Sequence, residues 1–155
     1  MKTFVILSDS HGRGRVADKI MPLAAENDYV VHLGDGAGDL REIMSRYPDK
    51  TYLLKGNCDA YPYMDECVIE AEGISILCCH GHQYGVKSGL SRLAYRAKEL
   101  GCEVALYGHT HRASVEEVGG VLCINPGSAG SYSDASYCYL VIHNKKPTAT
   151  IVSFI

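Results

Sequence analysis

Short apolar segments that end abruptly in glycine and polar residues constrain the fold of this 155-residue chain most strongly. Thr3–Ser8, Tyr29–Leu33 and Thr51–Lys55 are continuous apolar runs of strand length, which is typical of strands buried on both faces. Apolar residues recur at helical spacing over 16–26, between the first two runs. This alternation predicts parallel strands joined by right-handed helical crossovers.

Two further helices are predicted from their ends. Asp39 and Glu42 are three residues apart, as the first and last residues of a capping box are, so we expect Asp39 to cap a helix that ends near Tyr47. Another helix is predicted over 88–100, where apolar residues share one face and Gly101 follows the end.

Three hairpins are predicted later in the chain, because turn residues separate pairs of strand-like segments. The turns are Glu72-Gly73, Gly119-Gly120 and Asn144-Lys145-Lys146-Pro147. The predicted strands are 66–71 with 74–79, 114–118 with 121–124, and 137–143 with 148–154, besides 103–107. We therefore expect one α/β domain over residues 1–155, with parallel strands first and hairpins later.

Composition argues against several classes of protein. Hydrophobic residues form 46% of the chain and charged residues 21%, which is unlike a disordered protein. A net charge of −3 without a basic block argues against an extended nucleic-acid surface. No apolar run approaches the roughly 20 residues of a membrane-spanning helix. Seven cysteines without a Cys-x-x-Cys pair, and an N-terminus unlike a signal peptide, predict reduced thiols in the cytoplasm.

The residues capable of metal or acid–base chemistry stand directly after predicted strands. Ligands bind beyond the carboxyl ends of strands in open α/β sheets, so separate loops can deliver these side chains to one place. Glycines adjoin several of them and permit close approach of the backbone. The residues are Asp9, His11, Asp35, Asn57, Asp59, His80, His82, His109 and His111.

The donor set contains nitrogen and oxygen atoms without thiolate, which suits Mn, Fe, Ni, Co or Zn better than a structural zinc site. Asp9 and Asp35 supply two negative charges, and the imidazoles and the amide supply none when neutral. Two divalent ions would leave a charge of about +2, which suits a phosphate ester. One ion would need only three or four of these ligands.

Five motifs stand in the order of the calcineurin-like metallophosphoesterase signature, and the chain resembles the small bacterial and archaeal phosphodiesterases of that family. A turn over 125–128 extends the resemblance beyond them. The motifs are Asp9-Ser10-His11, Gly34-Asp35, Gly56-Asn57-Cys58-Asp59, His80-Gly81-His82 and Gly108-His109-Thr110-His111.

The resemblance implies two mixed β-sheets sandwiched between helices, in four layers. It implies a phosphodiesterase in which hydroxide bridging two divalent ions attacks phosphorus in line, with Mn expected and Ni, Fe, Co or Zn as alternatives. The substrate would be a small phosphodiester or phosphate ester. Asp35 would bridge both ions. The remaining ligands would be Asp9, His11 and His111 for the first ion and Asn57, His80 and His109 for the second.

The sequence departs from the wider family at Cys58, where many relatives carry a histidine that protonates the leaving oxygen. The departure favours diesters with acidic leaving groups, which need less help from a general acid. His82 is the nearest spare imidazole, expected either to act as the acid or to orient His80 or contact phosphate. Asp59 is the second candidate for a role in catalysis, through a hydrogen bond to a ligand or to the Asn57 loop.

Other residues carry less specific expectations. Arg13 and Arg15 could meet a phosphate, but a solvated helix start is favoured. His32 is expected to be a satisfied core histidine. Two other functions stay open: a protein-interaction scaffold with a vestigial metal site, like the retromer subunit vacuolar sorting protein 29, and a hydrolase of another bond type. Self-association into a homo-oligomer is also left open.

Overall fold

The computed structural model describes residues 1–13 and 15–154. No helix in these ranges is long and apolar enough to cross a membrane, and the longest has 11 residues. The helices are α1 (Val16–Glu26), α2 (Arg41–Arg46) and α3 (Ser91–Glu99). The strands are β1 (Lys2–Leu7), β2 (Tyr29–His32), β3 (Thr51–Leu53), β4 (Glu66–Ala71), β5 (Ile74–Cys79), β6 (Val104–Leu106), β7 (Ser114–Val118), β8 (Val121–Asn125), β9 (Ser136–His143) and β10 (Lys146–Ser153).

The strands form two five-stranded mixed sheets. The first has the order β10-β9-β1-β2-β3 and the second β4-β5-β6-β8-β7, each with three parallel strands. One apolar cluster, which includes Phe4 and Ile76, fills the space between the sheets. Helices α1 and α2 cover the outer face of the first sheet, and α3 covers the second. The predicted α/β fold, with two mixed sheets between helices, is confirmed.

All three predicted hairpins are present, but the last turn is shorter than expected. Asn144 and Lys145 alone form it, with φ of +52° and +59°, the left-handed pair that a two-residue type I′ turn requires. Pro147 therefore lies within β10 instead of in the turn. The proline is tolerated because β10 is an edge strand, where a missing N–H need not interrupt a ladder.

The predicted helix cap at Asp39 is wrong. A 3-10 turn over Ala37–Leu40 precedes α2, and no side chain caps either element. The Asp39 carboxylate instead accepts hydrogen bonds from the Ser10 hydroxyl at 2.6 Å and the Gly12 amide at 2.8 Å. Asp39 therefore bonds to residues of the loop after β1 instead of capping a helix. No local sequence pattern predicts these distant partners.

His32 is a fully buried, hydrogen-bonded core residue, as predicted. Its Nδ1 accepts from the Gly34 amide at 3.0 Å, so Nε2 carries the proton and donates to the Ser10 hydroxyl at 2.8 Å. Burial lowers the pKa of His32 from 6.5 to about 4, and nearby carboxylates only partly oppose this. The neutral imidazole thereby anchors the loop that carries Asp9 and His11.

Because the pKa of His32 is lower in the folded state, its contribution to stability is present above pH 6.5 and is lost as the pH falls towards 4. Between pH 7 and pH 5, the free energy of unfolding should fall by about 2 kcal/mol through this residue. Urea unfolding of metal-free protein should show a shallower pH dependence for His32→Asn, while exposed His143→Gln keeps that of the wild type. An unchanged pH dependence in His32→Asn would contradict this account.

Candidate metal centre

The carboxyl ends of the parallel strands in both sheets meet at one edge of the molecule. Asp9 follows β1 and Asp35 follows β2, while the histidine loops follow β5 and β6 of the other sheet. The loop after β8 joins them, because the Ala129 amide donates to the Ser8 carbonyl and the Ser128 hydroxyl to the Asp9 carbonyl, both at 2.8 Å. Residues from five strand ends therefore share one small volume.

Five of the predicted ligands have left-handed backbone conformations. For residues other than glycine this conformation costs roughly 1–3 kcal/mol and persists only where the surroundings enforce it. Such strain clusters at functional sites, and sequence spacing gave no sign of it. The residues are Asp9 (φ +54°), His11 (φ +50°), Asp35 (φ +58°), His109 (φ +71°) and His111 (φ +63°).

The two carboxylate oxygens of buried Asp9 have different surroundings. Oδ2 accepts hydrogen bonds from the Ser8 hydroxyl at 2.6 Å and from the His109 amide at 3.0 Å. Oδ1 is buried and accepts no hydrogen bond in the described part of the chain. Three imidazole Nε2 atoms surround it, those of His111 at 3.1 Å, His11 at 3.8 Å and His80 at 3.9 Å. A buried carboxylate oxygen without a donor requires an explanation, and a bound cation supplies one.

His80 is fully buried and oriented by the backbone. Its Nδ1 lies 2.9 Å from the Leu33 carbonyl, which can only accept, so Nδ1 carries the proton. Nε2 is then the nitrogen that can offer a lone pair to a metal, and it lies 3.4 Å from Asp35 Oδ2 and 3.2 Å from His109 Nδ1. A backbone partner on one ring nitrogen commonly prepares the other to bind metal.

Six of the seven predicted ligands fall into two groups whose donor atoms lie within 4.8 Å of one another. Burial would raise the pKa of Asp35, but the Cys58 amide and the His80 ring outweigh it and hold the pKa below its usual value. Burial, reinforced by His80, lowers the pKa of His109 and favours the neutral ring that a metal needs. The groups are Asp9, His11 and His111, and Asp35, His80 and His109.

The remaining candidates surround these groups in different ways. Asn57 is exposed, and its amide donates to Cys58 Sγ at 3.6 Å. Asp59 accepts hydrogen bonds from three backbone amides, those of Asp35, Gly36 and Gly56, each at 2.9 Å. Its carboxylate therefore ties the loop after β2 to the loop after β3.

His82 lies beside the second group, with its ring centroid 5.4 Å from that of His80 and 6.1 Å from that of His109. Its Nδ1 is buried and has no hydrogen-bond partner among the described residues. Burial, with the neighbouring His80, lowers the pKa of His82. The His82 ring therefore lies at the edge of the candidate metal centre, beside His80 and His109.

The calcineurin-like phosphoesterase superfamily domain is the family whose model matches, over residues 1–146. The chain belongs to this superfamily. The probable metallophosphoesterase YsnB of Bacillus subtilis is 40% identical over 131 residues, which cover 80% of this chain and 73% of that protein. Membership confirms the resemblance and supports a hydrolase of phosphate esters that uses divalent ions.

Solved structures agree on the fold of this calcineurin-like phosphoesterase. A predicted phosphoesterase from Streptococcus pneumoniae superposes with a TM-score of 0.83 at 28% identity, covering 98% of this chain and 89% of that one. Vps29 from Entamoeba histolytica superposes with a TM-score of 0.79 at 22% identity, covering 99% of each chain. At that identity the likeness to Vps29 concerns the fold alone.

Sequence reasoning missed several residues that hold the centre together. Ser8 and Ser128 fix the loop that bears Asp9, and the Asn125 amide donates to the Gly108 carbonyl at 3.2 Å and to the Thr110 hydroxyl at 2.9 Å. Asn125 and Ser128 could have been predicted near the centre, because the turn over 125–128 follows a strand in the same way as the ligand loops do.

Glycine at position 56 is required by close packing of two loops, because a Cβ there would overlap the carboxylate and the amide of Asp35. Gly56→Ala should lower the free energy of unfolding by about 1–3 kcal/mol and weaken Mn²⁺ binding. Gly38→Ala is the matched control, since its Cβ would meet only the Tyr63 hydroxyl at 3.3 Å and the Arg41 side chain at 3.9 Å. Urea unfolding and calorimetric Mn²⁺ titration would measure both effects, and equal behaviour of the two variants would refute tight packing at Gly56.

Proposed function

We propose that this chain is a binuclear metal-dependent phosphoesterase that acts on phosphate diesters. The main support is Asp9 Oδ1, a buried oxygen that accepts no hydrogen bond from the described residues and faces three imidazole nitrogens. Carboxylate and neutral imidazole suit Mn, Fe, Ni, Co and Zn, and we propose Mn as the working ion. The two donor groups and the prepared His80 tautomer support a site for two ions.

In this proposal Asp35 would be a ligand shared by the two ions, and the exposed Asn57 would complete the second site. When bound, divalent ions lower the pKa of a water nucleophile and neutralise charge on phosphate oxygens. The other ligands are those of the two groups, with Asp9, His11 and His111 for the first ion and His80 and His109 for the second.

The protein's own residues position these groups and the leaving oxygen. Asp59 holds the loops of Asp35 and Asn57 together through backbone amides, so we assign it a positioning role. The His82 side chain is assigned to contact with the phosphate or the leaving oxygen, because its ring lies beside those of His80 and His109. In the metal-free chain the nearby charge of Asp35 raises the pKa of the exposed Cys58, so this side chain is a protonated thiol there.

A scaffold function is the alternative, and the exposed apolar region around Tyr61 and Met64 favours it. A panel of phosphate diesters, monoesters and amides with added Mn²⁺ separates the two. Hydrolysis of diesters above all others is expected, whereas no hydrolysis at full metal occupancy would favour the scaffold. We further propose a cytoplasmic location, which the unpaired and mostly buried cysteines support.

Chelation should abolish diesterase activity and Mn²⁺ should restore it.

Asp35→Asn should lower metal content and activity more than Asn57→Ala does. The change removes one of the two carboxylate charges of the proposed ligand set, while its side-chain oxygen can still accept from the Cys58 amide. Metal content by elemental analysis and diesterase rates should both fall further in Asp35→Asn. Full activity of metal-free protein, or normal metal content and rate in Asp35→Asn, would refute the proposal.

Cys58→His should raise hydrolysis most for poor leaving groups, because general acid catalysis is worth roughly 10²–10⁴-fold there. The Cys58 side chain is exposed, so an imidazole has room without repacking the loop. Rates for a series of aryl phosphates, at equal metal occupancy in both proteins, would measure the dependence on leaving-group pKa. A uniform loss across the series would instead assign Cys58 a packing role.

A further inference from the structure

A cavity of about 310 Å³ opens directly beside the candidate metal centre. His11 and His111 form the wall towards the centre, and Arg13 and Tyr132 form another part of the lining. Its volume is at the lower end of the roughly 300–1,000 Å³ that small-molecule sites occupy. The cavity can therefore hold one substituent of a phosphodiester whose phosphate lies at the centre.

Tyr132 is the most exposed large hydrophobic side chain of the described chain, at 85%, and it lies in a turn with hydrogen bonds of its own. The Ser131 hydroxyl binds the Asp134 carboxylate and accepts from the amides of Ser133 at 3.4 Å and Asp134 at 3.3 Å. The Arg13 guanidinium covers one side of the ring, with Cζ 4.8 Å from the ring centroid. The loop thus presents an exposed aromatic ring at the cavity instead of burying it.

Arg13 and Arg15 differ in a way that the sequence did not disclose. Arg15 pairs with Asp18 at 2.9 Å, as a solvated residue at the start of α1 would. Arg13 has no ion-pair partner within the described residues, and it lies on Tyr132 instead. Its guanidinium donors therefore face a ligand in the cavity, whose lining also includes the Asp134 carboxylate that bonds to the Ser131 hydroxyl.

We propose that Tyr132 and Arg13 form a recognition site for the base of a nucleoside phosphodiester. Bases stack on aromatic rings and on guanidinium planes, and the open side of the Tyr132 ring offers such a surface. The small cavity and the net charge of −3 restrict the site to one nucleoside instead of a polymer. This inference rests on the proposed phosphodiesterase function, because the cavity adjoins that centre.

Two substrates with the same leaving group test the site: thymidine 5′-(p-nitrophenyl phosphate) and methyl p-nitrophenyl phosphate. The wild type with Mn²⁺ should prefer the thymidine ester in kcat/KM, and Tyr132→Ala should reduce that preference roughly tenfold. Tyr132→Phe should retain it. Tyr95→Ala is the matched control, because Tyr95 is 68% exposed on α3, in a different cavity. An equal preference in wild type and Tyr132→Ala would overturn the inference.

A binding assay without metal keeps this test separate from the proposed function. The chain has no tryptophan, so the fluorescence of 2-aminopurine riboside 5′-monophosphate can be followed on a low background. Wild type, Tyr132→Phe and Tyr95→Ala should quench it by stacking, and Tyr132→Ala should not. If quenching depends on Tyr132 but neither ester is hydrolysed, only the proposed diesterase activity is refuted. Hydrolysis of the methyl ester without such quenching would refute only the base site.

Discussion

The unequal surroundings of the two Asp9 carboxylate oxygens govern the arrangement of the whole site. One oxygen is fixed by the Ser8 hydroxyl and the His109 amide, which join the loops after β1 and β6. The other is buried, accepts no hydrogen bond among the described residues, and faces three imidazoles. A desolvated anionic oxygen is costly unless a positive charge compensates it, so the loops converge on a place for a cation.

The two-sheet architecture makes this convergence feasible. Each sheet contributes parallel strands whose carboxyl ends reach the same edge, so ligand loops need only be short. Several ligands in these loops have left-handed backbone conformations. Hydrogen bonds hold these conformations in place. They include those from backbone amides to Asp59, and the chain of hydrogen bonds from His32 through Ser10 to Asp39. Ligands that bind only the folded state would then add directly to its stability.

Sequence patterns predicted what depends on local structure. The buried strands, the hairpin turns and α1 follow from apolar runs and turn residues. Because the predicted ligands follow strands, the sequence also placed them at one edge, and six of the seven lie in the two donor groups. Features that depend on distant partners were not predictable. Asp39 has a capping pattern but bonds to Ser10, and Arg13 meets Tyr132 only because two distant loops meet. The exposed position of Asn57 likewise could not be deduced from its motif.

The proposed function requires a centre that holds two ions, one at the group of Asp9 and one at the group of Asp35. Anomalous diffraction from crystals of the protein soaked in Mn²⁺ tests this claim most directly, because it locates each ion independently of activity. Two manganese peaks are expected, one beside His11 and His111 and one beside His80 and His109. A single peak or none at saturating Mn²⁺, or manganese bound elsewhere on the chain, would contradict this claim.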